Sequence, residues 1–499
     1  MARGVARRLT GAHRSAQRAG GVPADGRWLA VMFLVMATLA ATVSIILTPP
    51  MQVPDAFVQF DRAVQISEGG FVGQVRGHVA GGYLPSGLRS FEQPLIGLPF
   101  HYERKFDRAD FRTLARATWG RGSTFMAFGS TTEYPPFAYL PGAAAVGVTR
   151  LFSSRILVAY YALEVVNALV YIALLGWAIL LFRGAGALLI AALGLLPMAI
   201  ALAASPSTDG LLIGLTSVAS GIAYRRAVDA GVGRRVPSGA AEPTGWGRWM
   251  RPPSGLEWIA LAAFTVAALA KPPYLALILV IGAVELRRRD IRGYLLKVIP
   301  AGALAALVLG AWYLIGAKFQ GAYGIVAGHK VVPAEQLRLV ITHPSLLVNA
   351  IHLSLTTFGS YYLRGFIGIL GWLDTSLPGW VYLGLVIGLG VLAVGHISAA
   401  RFDWRIALCS FFAAVLAAVL VFAVLYLDST PPNGAMVGGV QGRYFLPLLP
   451  VLILTLGLSR KGAVLAGLRR LTGQTVLLAM AVVSVSGSAI ALVGRFWLR

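Results

Sequence analysis

The sequence predicts an all-α polytopic membrane protein, and three observations carry that prediction. Hydrophobic residues make up 57% of the chain and charged residues only 13%, about half the charge of an ordinary water-soluble domain. Long apolar runs recur from Trp28 to the last residues, and the mean hydropathy is +0.72, as a lipid solvent demands. Basic residues gather between those runs: Arg3, Arg7, Arg8, Arg14, Arg18 and Arg27; Arg225, Arg226, Arg234 and Arg235; Arg287, Arg288, Arg289, Arg292 and Lys297; Arg460, Lys461, Arg469 and Arg470. This is the positive-inside bias of cytoplasmic loops. The net charge of +23 therefore reports topology and attraction to anionic headgroups, and no nucleic-acid partner is expected.

The clusters thread the chain. Residues 1–27 read as a cytoplasmic basic N-terminus and 28–499 as a single transmembrane domain. The run Leu29 to Leu47 exceeds the apolar core of about 7 to 15 residues found in signal peptides and lacks a small-residue cleavage site, so it is a retained span. Residues 49–154 form a long first external loop, in which Phe137 to Phe152 lies on the outer surface as a juxtamembrane helix. A crossing there would put the basic cluster at 225–235 outside, and Pro135, Pro136 and Pro141 disfavour an uninterrupted span.

Ile156 to Leu181 then runs inward, Leu188 to Ala204 outward, and Leu211 to Tyr224, expected to extend at both ends, inward. Residues 225–255, basic and rich in Gly and Pro, form a cytoplasmic linker. Glu257 to Ala270 and Tyr274 to Val284 are each short of the roughly 20 residues a span needs. They read as an out-and-back pair turning at Lys271-Pro272-Pro273, aided by a thinned bilayer or shelter from protein. Val298 to Ile315 leads to an external loop, 316–376, whose interrupted apolar piece Leu346 to Phe358 reads as a candidate re-entrant segment. Trp380 to Val394, Ile406 to Leu427, Tyr444 to Leu458 and Val476 to Val493 complete about eleven crossings. This threading leaves Arg495 and Arg499 outside, against the bias.

Polar groups recur just beyond the outer ends of the runs, where ionisable side chains are costly without a partner or a function. Asp55 has two compatible readings: a base for an acceptor hydroxyl, or the N-cap of a helix over Ala56 to Ser67. Asp61 and Arg62 are expected to form an internal ion pair, and both are candidates for sugar or acceptor contacts. Lys271, Arg364 and Arg443 are candidate phosphate ligands, with turn or helix-anchor roles as alternatives. Glu133, Tyr134, Asp209, Asp374 and Asp428 are further candidates for sugar or acceptor binding.

The single cysteine, Cys409, permits no intrachain disulfide. The seven histidines have no ligand spacing, and no P-loop, zincin or hydrolase-elbow motif occurs, so no metal and no cofactor is expected.

Several landmarks resemble a family of bacterial multi-pass membrane proteins of unknown function related to the GT-C superfamily of polyprenyl-phosphate-sugar-dependent glycosyltransferases. They are Pro54-Asp55, Phe60, Arg62-Ala63, Gln65 to Gly69, Tyr134 to Pro141, Leu196-Pro197-Met198, Ala204 to Asp209, Lys271 to Tyr274, GILGWLDT at Gly368 to Thr375, and QGRYFLP at Gln441 to Pro447. Ala56 and Gln59 depart from the family pattern, which carries an acidic residue and a histidine there. The resemblance implies a GT-C-like fold and an external site in a bacterial inner membrane. It also implies inverting transfer of a sugar from a polyprenyl-phosphate donor to a glycan or lipid acceptor of the cell envelope, with Asp55 as base. A flippase for lipid-linked saccharide and a non-catalytic assembly subunit are the competing readings.

Overall fold

The computed structural model describes residues 24–230, 254–320, 325–326, 329–459 and 467–498. The basic N-terminus up to residue 23, most of the linker 225–255, part of the loop 316–376, and Arg460, Lys461 and Arg499 lie outside them. Among the described residues, six helices are long and apolar enough to cross a membrane, or eight if each of two bent pairs is one span. The protein is thus a largely helical, polytopic membrane protein, and the expected count of about eleven goes beyond what these helices show.

Helix α1 (Ala24–Leu47) enters the first loop, which carries α2 (Ala56–Ser67), α3 (Gly87–Glu92), α4 (Arg108–Arg116) and α5 (Leu140–Arg150). The loop also holds an antiparallel sheet that the sequence reading does not anticipate: β1 (Gln74–Arg76), β2 (Val79–Pro85) and β3 (Ser123–Ala127), in that order. Helix α5 has 11 residues, about 16 Å of rise and too short to cross. It packs against α2 and against α6 (Ile156–Leu181).

Over the expected span Leu188 to Ala204 the chain forms two helices in place of one, α7 (Ala185–Gly194) and α8 (Pro197–Ala203), bent by 63°. Pro197 supplies no amide hydrogen and drives Leu196 into extended backbone, φ −62° and ψ 140°. Helix α9 (Asp209–Ala230) is longer at both ends than its apolar run. It sits in the core because a Cβ on Gly214 would lie 2.8 Å from Leu174 and one on Gly221 2.9 Å from Leu181, the close approach that small residues permit between membrane helices.

After α10 (Gly255–Ala270), the chain turns at Lys271 into a 3-10 helix, Pro272–Gly282, continued by Ala283–Arg287. Its tighter winding stretches this short segment: at about 2.0 Å per 3-10 residue and 1.5 Å per α residue, the two pieces together reach roughly 30 Å. A second 3-10 turn, Gly442–Leu448, opens the expected span at Tyr444 to Leu458.

Helix α11 (Ile291–Gln320) precedes α12 (Pro333–Thr342) and α13 (Pro344–Gly368), which are bent by 101°. The segment Leu346 to Phe358, read as interrupted, lies inside the unbroken 25-residue α13. Helices α14 (Gly379–Ala399), α15 (Trp404–Ser429), α16 (Leu449–Thr455) and α17 (Gly467–Phe496) complete the chain. Arg495, near the end of α17, is buried and paired with Asp374, so its place is set by protein contacts and not by a lipid headgroup.

Candidate active site

Asp55 stands at the head of α2, on a loop with two non-glycine residues in the left-handed region, Met51 and Asp55, both with φ 63°. Such backbone costs of order 1–3 kcal/mol per residue and persists only where its surroundings hold it. Here they do. The Met51 amide donates to the Tyr160 hydroxyl at 2.8 Å, its carbonyl accepts the Trp372 indole N–H at 2.8 Å, and Trp372 packs against Phe57 at 5.8 Å. The Asp55 carboxylate caps no backbone amide of α2. It pairs instead with Nη2 of Arg443.

Arg443 follows Gly442, and that glycine is required: a Cβ there would lie 2.1 Å from the Tyr362 carbonyl oxygen and 2.4 Å from the Phe366 nitrogen. The 3-10 turn thereby docks on α13 and aims the guanidinium inward. Nε donates to Gln441 Oε1 at 2.5 Å, and Nη1 lies 3.5 Å from Asp209 Oδ2. Asp209, the first residue of α9, pairs through Oδ1 with Lys271, the residue that ends α10. Tyr444 backs both cations, with the Lys271 ammonium 4.3 Å and the Arg443 guanidinium 5.3 Å from its ring centroid. The Tyr274 hydroxyl donates to the Tyr444 carbonyl at 2.9 Å.

Four sequentially remote candidates, Asp55, Asp209, Lys271 and Arg443, thus form one network of two cations and two carboxylates. Burial grades them: the side chains of Arg443 and Asp209 are 2% and 5% exposed, Lys271 24% and Asp55 44%. A cation pair backed by an aromatic ring suits a phosphate, and an accessible carboxylate beside it suits proton transfer. Gln441, Tyr274 and Tyr444 carry no role in the sequence reading. Gln441 and Tyr444 flank Arg443, and Tyr274 lies three residues after Lys271, so adjacency to the selected cations is the signal that marks them.

The remaining candidates are not members of that ion-pair network. Arg364 is exposed on α13, and its one hydrogen bond among the described residues runs from Nε to the Ser360 carbonyl one turn back, at 3.4 Å. Asp374 is held by Arg495 and by the Phe100 amide at 3.0 Å. The Glu133 carbonyl accepts the Trp312 indole N–H at 2.8 Å, while burial and the Asp428 carboxylate push its own carboxyl up to about 7. Asp428, exposed near the end of α15, has no ion-pair partner among the described residues. The Tyr134 ring packs with Ile66, Tyr139 and Ala143.

The expected ion pair between Asp61 and Arg62 is corrected, since successive residues on a helix point about 100° apart. Arg62, fully buried, ties α2 to its own exit and to the next landmark, bonding Gln65, the Phe71 carbonyl at 2.8 Å and the Tyr134 carbonyl at 3.3 Å. Burial lowers its guanidinium to about 10. Asp61 faces Glu92, and both are buried. Burial lifts Glu92 from its ordinary 4.5 to about 7, and burial together with Glu92 lifts Asp61 well above the usual carboxylate range.

Both acids bind their protons more tightly in the folded state, so both stabilise most at low pH, and the contribution of Glu92 is whole below its ordinary 4.5 and lost as pH rises through about 7. Thermal stability in detergent is therefore expected to fall as pH rises through that window. Glu92→Gln should flatten the fall without abolishing it, because Glu133 titrates in the same range. An unchanged slope in Glu92→Gln would show that the pair does not titrate as described.

Among the described residues, no three His, Cys, Asp or Glu side chains converge as a metal site. No curated protein matches the chain. Among solved structures, the crystal structure of ArnT from Cupriavidus metallidurans bound to undecaprenyl phosphate aligns at 14% identity with a TM-score of 0.41, over 95% of this chain and 77% of that one. The family model DUF2142, described as a predicted membrane protein, matches residues 38–452, and the chain belongs to that family.

Proposed function

We propose that the protein is an inverting membrane glycosyltransferase that moves a sugar from a polyprenyl-phosphate carrier to an extracytoplasmic glycan or lipid acceptor. The observation that carries this reading is the placement of Asp55: an uncapped, accessible carboxylate on a strained loop, set against Arg443 beside Lys271. In the proposed reaction the acceptor oxygen attacks the anomeric carbon, the bond from that carbon to the phosphate oxygen breaks, and the phosphate leaves with the electron pair. Arg443 and Lys271 stabilise its growing charge, and the acceptor proton passes to Asp55. With one base on the attacking side and no protein nucleophile, the sugar inverts. Asp209 holds both cations in place and stays ionised between them.

The test supplies purified protein with labelled polyprenyl-phosphate sugars and candidate acceptors. Asp55→Asn is expected to lower transfer by at least about a hundredfold, the lower range for loss of a general base. Transfer unaffected by that change would remove Asp55 from the chemistry, and movement of lipid-linked sugar across the bilayer without transfer would favour a flippase.

A further inference from the structure

We infer that Asp55 occupies, in the resting protein, the place on Arg443 that the phosphate of the lipid donor takes on binding, so that the arriving phosphate expels the carboxylate and frees it to act as base. This rests on the proposed glycosyl transfer and concerns how the same site is switched on.

Charge balance is the first argument. Two cations already face two carboxylates, so a phosphate added to the intact network would leave a part-buried site net negative. Replacing one carboxylate with the phosphate removes that penalty. The second argument decides which carboxylate leaves. Asp209 is 5% exposed and touches both Lys271 and Arg443, so its departure would take a partner from a buried and a half-buried cation at once. Asp55 is 44% exposed, forms an ion pair with Arg443 alone among the described residues, and makes no cap that its departure would break. Water can take over its solvation as it leaves, and the anchors at Met51 hold the loop while only the side chain turns.

The third argument comes from the reaction. A base must meet the acceptor hydroxyl on the side of the anomeric carbon opposite the phosphate, yet in the resting arrangement Asp55 lies where a phosphate would sit. One of its oxygens, Oδ2, is also engaged by the guanidinium. Displacement resolves both conflicts, and it orders the reaction: donor first, acceptor second.

The experiment measures binding of a polyprenyl phosphate in nanodiscs, with the phosphate-free polyprenol as control. Without its competitor, Asp55→Asn is expected to bind the polyprenyl phosphate roughly tenfold more tightly than the wild type, as loss of one hydrogen-bonded charged contact implies. Asp55→Ala should shift the same way, Asp55→Glu should stay at the wild-type value, and polyprenol binding should not move. Equal or weaker phosphate binding by both Asp55→Asn and Asp55→Ala, with the wild type still preferring phosphate over polyprenol, overturns the displacement and leaves the proposed reaction standing. A wild type with no preference for phosphate overturns both.

Discussion

Arg443→Met is expected to cost about 3 kcal/mol of stability and to abolish detectable sugar transfer. The guanidinium is 2% exposed and meets Asp55, Asp209 and Gln441 at once. Removing one partner of a buried pair typically costs about 3–5 kcal/mol, because the other charge stays buried without compensation. The lower end applies here, since Asp209 keeps Lys271 and Asp55 can turn to water. Arg443→Lys should fall between, retaining charge but unable to reach three acceptors with one planar fork. Arg364→Met provides the contrast: that side chain is exposed and, among the described residues, bonds only a carbonyl of its own helix, so its stability should stay within about 0.5 kcal/mol of the wild type. Thermal unfolding in detergent measures both. Equal losses for the two variants would refute the central position given to Arg443.

That contrast marks how far the sequence was legible. In a chain with 13% charged residues, a charge at the end of an apolar run stands out. Asp55, Asp209, Lys271 and Arg443 could therefore all be selected without knowing that they meet. Arg364 and Asp374 carry the same local signature, and only tertiary packing separates them: Gly442 docks on α13 and turns Arg443 inward, while Arg364 faces out. Of the two compatible readings of Asp55, backbone geometry bears on the N-cap alone: at φ 63° its carboxylate caps no amide of α2. Helix boundaries were legible where apolar runs are uninterrupted, as in Ile156–Leu181. They were not where prolines tighten the winding to 3-10, since hydropathy reports polarity and carries no rise per residue. The sheet β1–β3 was invisible because its strands are short and include Gly81 and Gly82, residues that weaken a strand pattern.

Arg495→Met is expected to destabilise the protein by about 3–5 kcal/mol, the larger loss of the two variants. The Arg495 and Asp374 side chains are 2% and 1% exposed, 3.1 Å apart. The same guanidinium donates to the carbonyls of Leu98 at 2.6 Å and Arg104 at 3.4 Å, and stacks 5.0 Å from the Tyr102 ring. One side chain therefore ties the end of α17, the GILGWLDT turn and the first loop together. Methionine would leave Asp374 with the Phe100 amide and the Thr375 hydroxyl, too little for a buried carboxylate. The effect should reach the proposed active site, because Trp372 in that turn holds the Met51 carbonyl beside Asp55. Transfer should fall along with stability, and limited proteolysis should cut within residues 98–106 before the wild type is cut there. Asp374→Asn keeps the shape and removes the charge, and it should lose less than Arg495→Met because the arginine retains two carbonyl acceptors. A melting temperature for Arg495→Met equal to the wild type's would mean that the first loop is held to the helices by its other contacts, among them the Phe106 amide on the Phe496 carbonyl at 2.9 Å and the Lys105 ammonium on the Gly494 carbonyl at 3.0 Å.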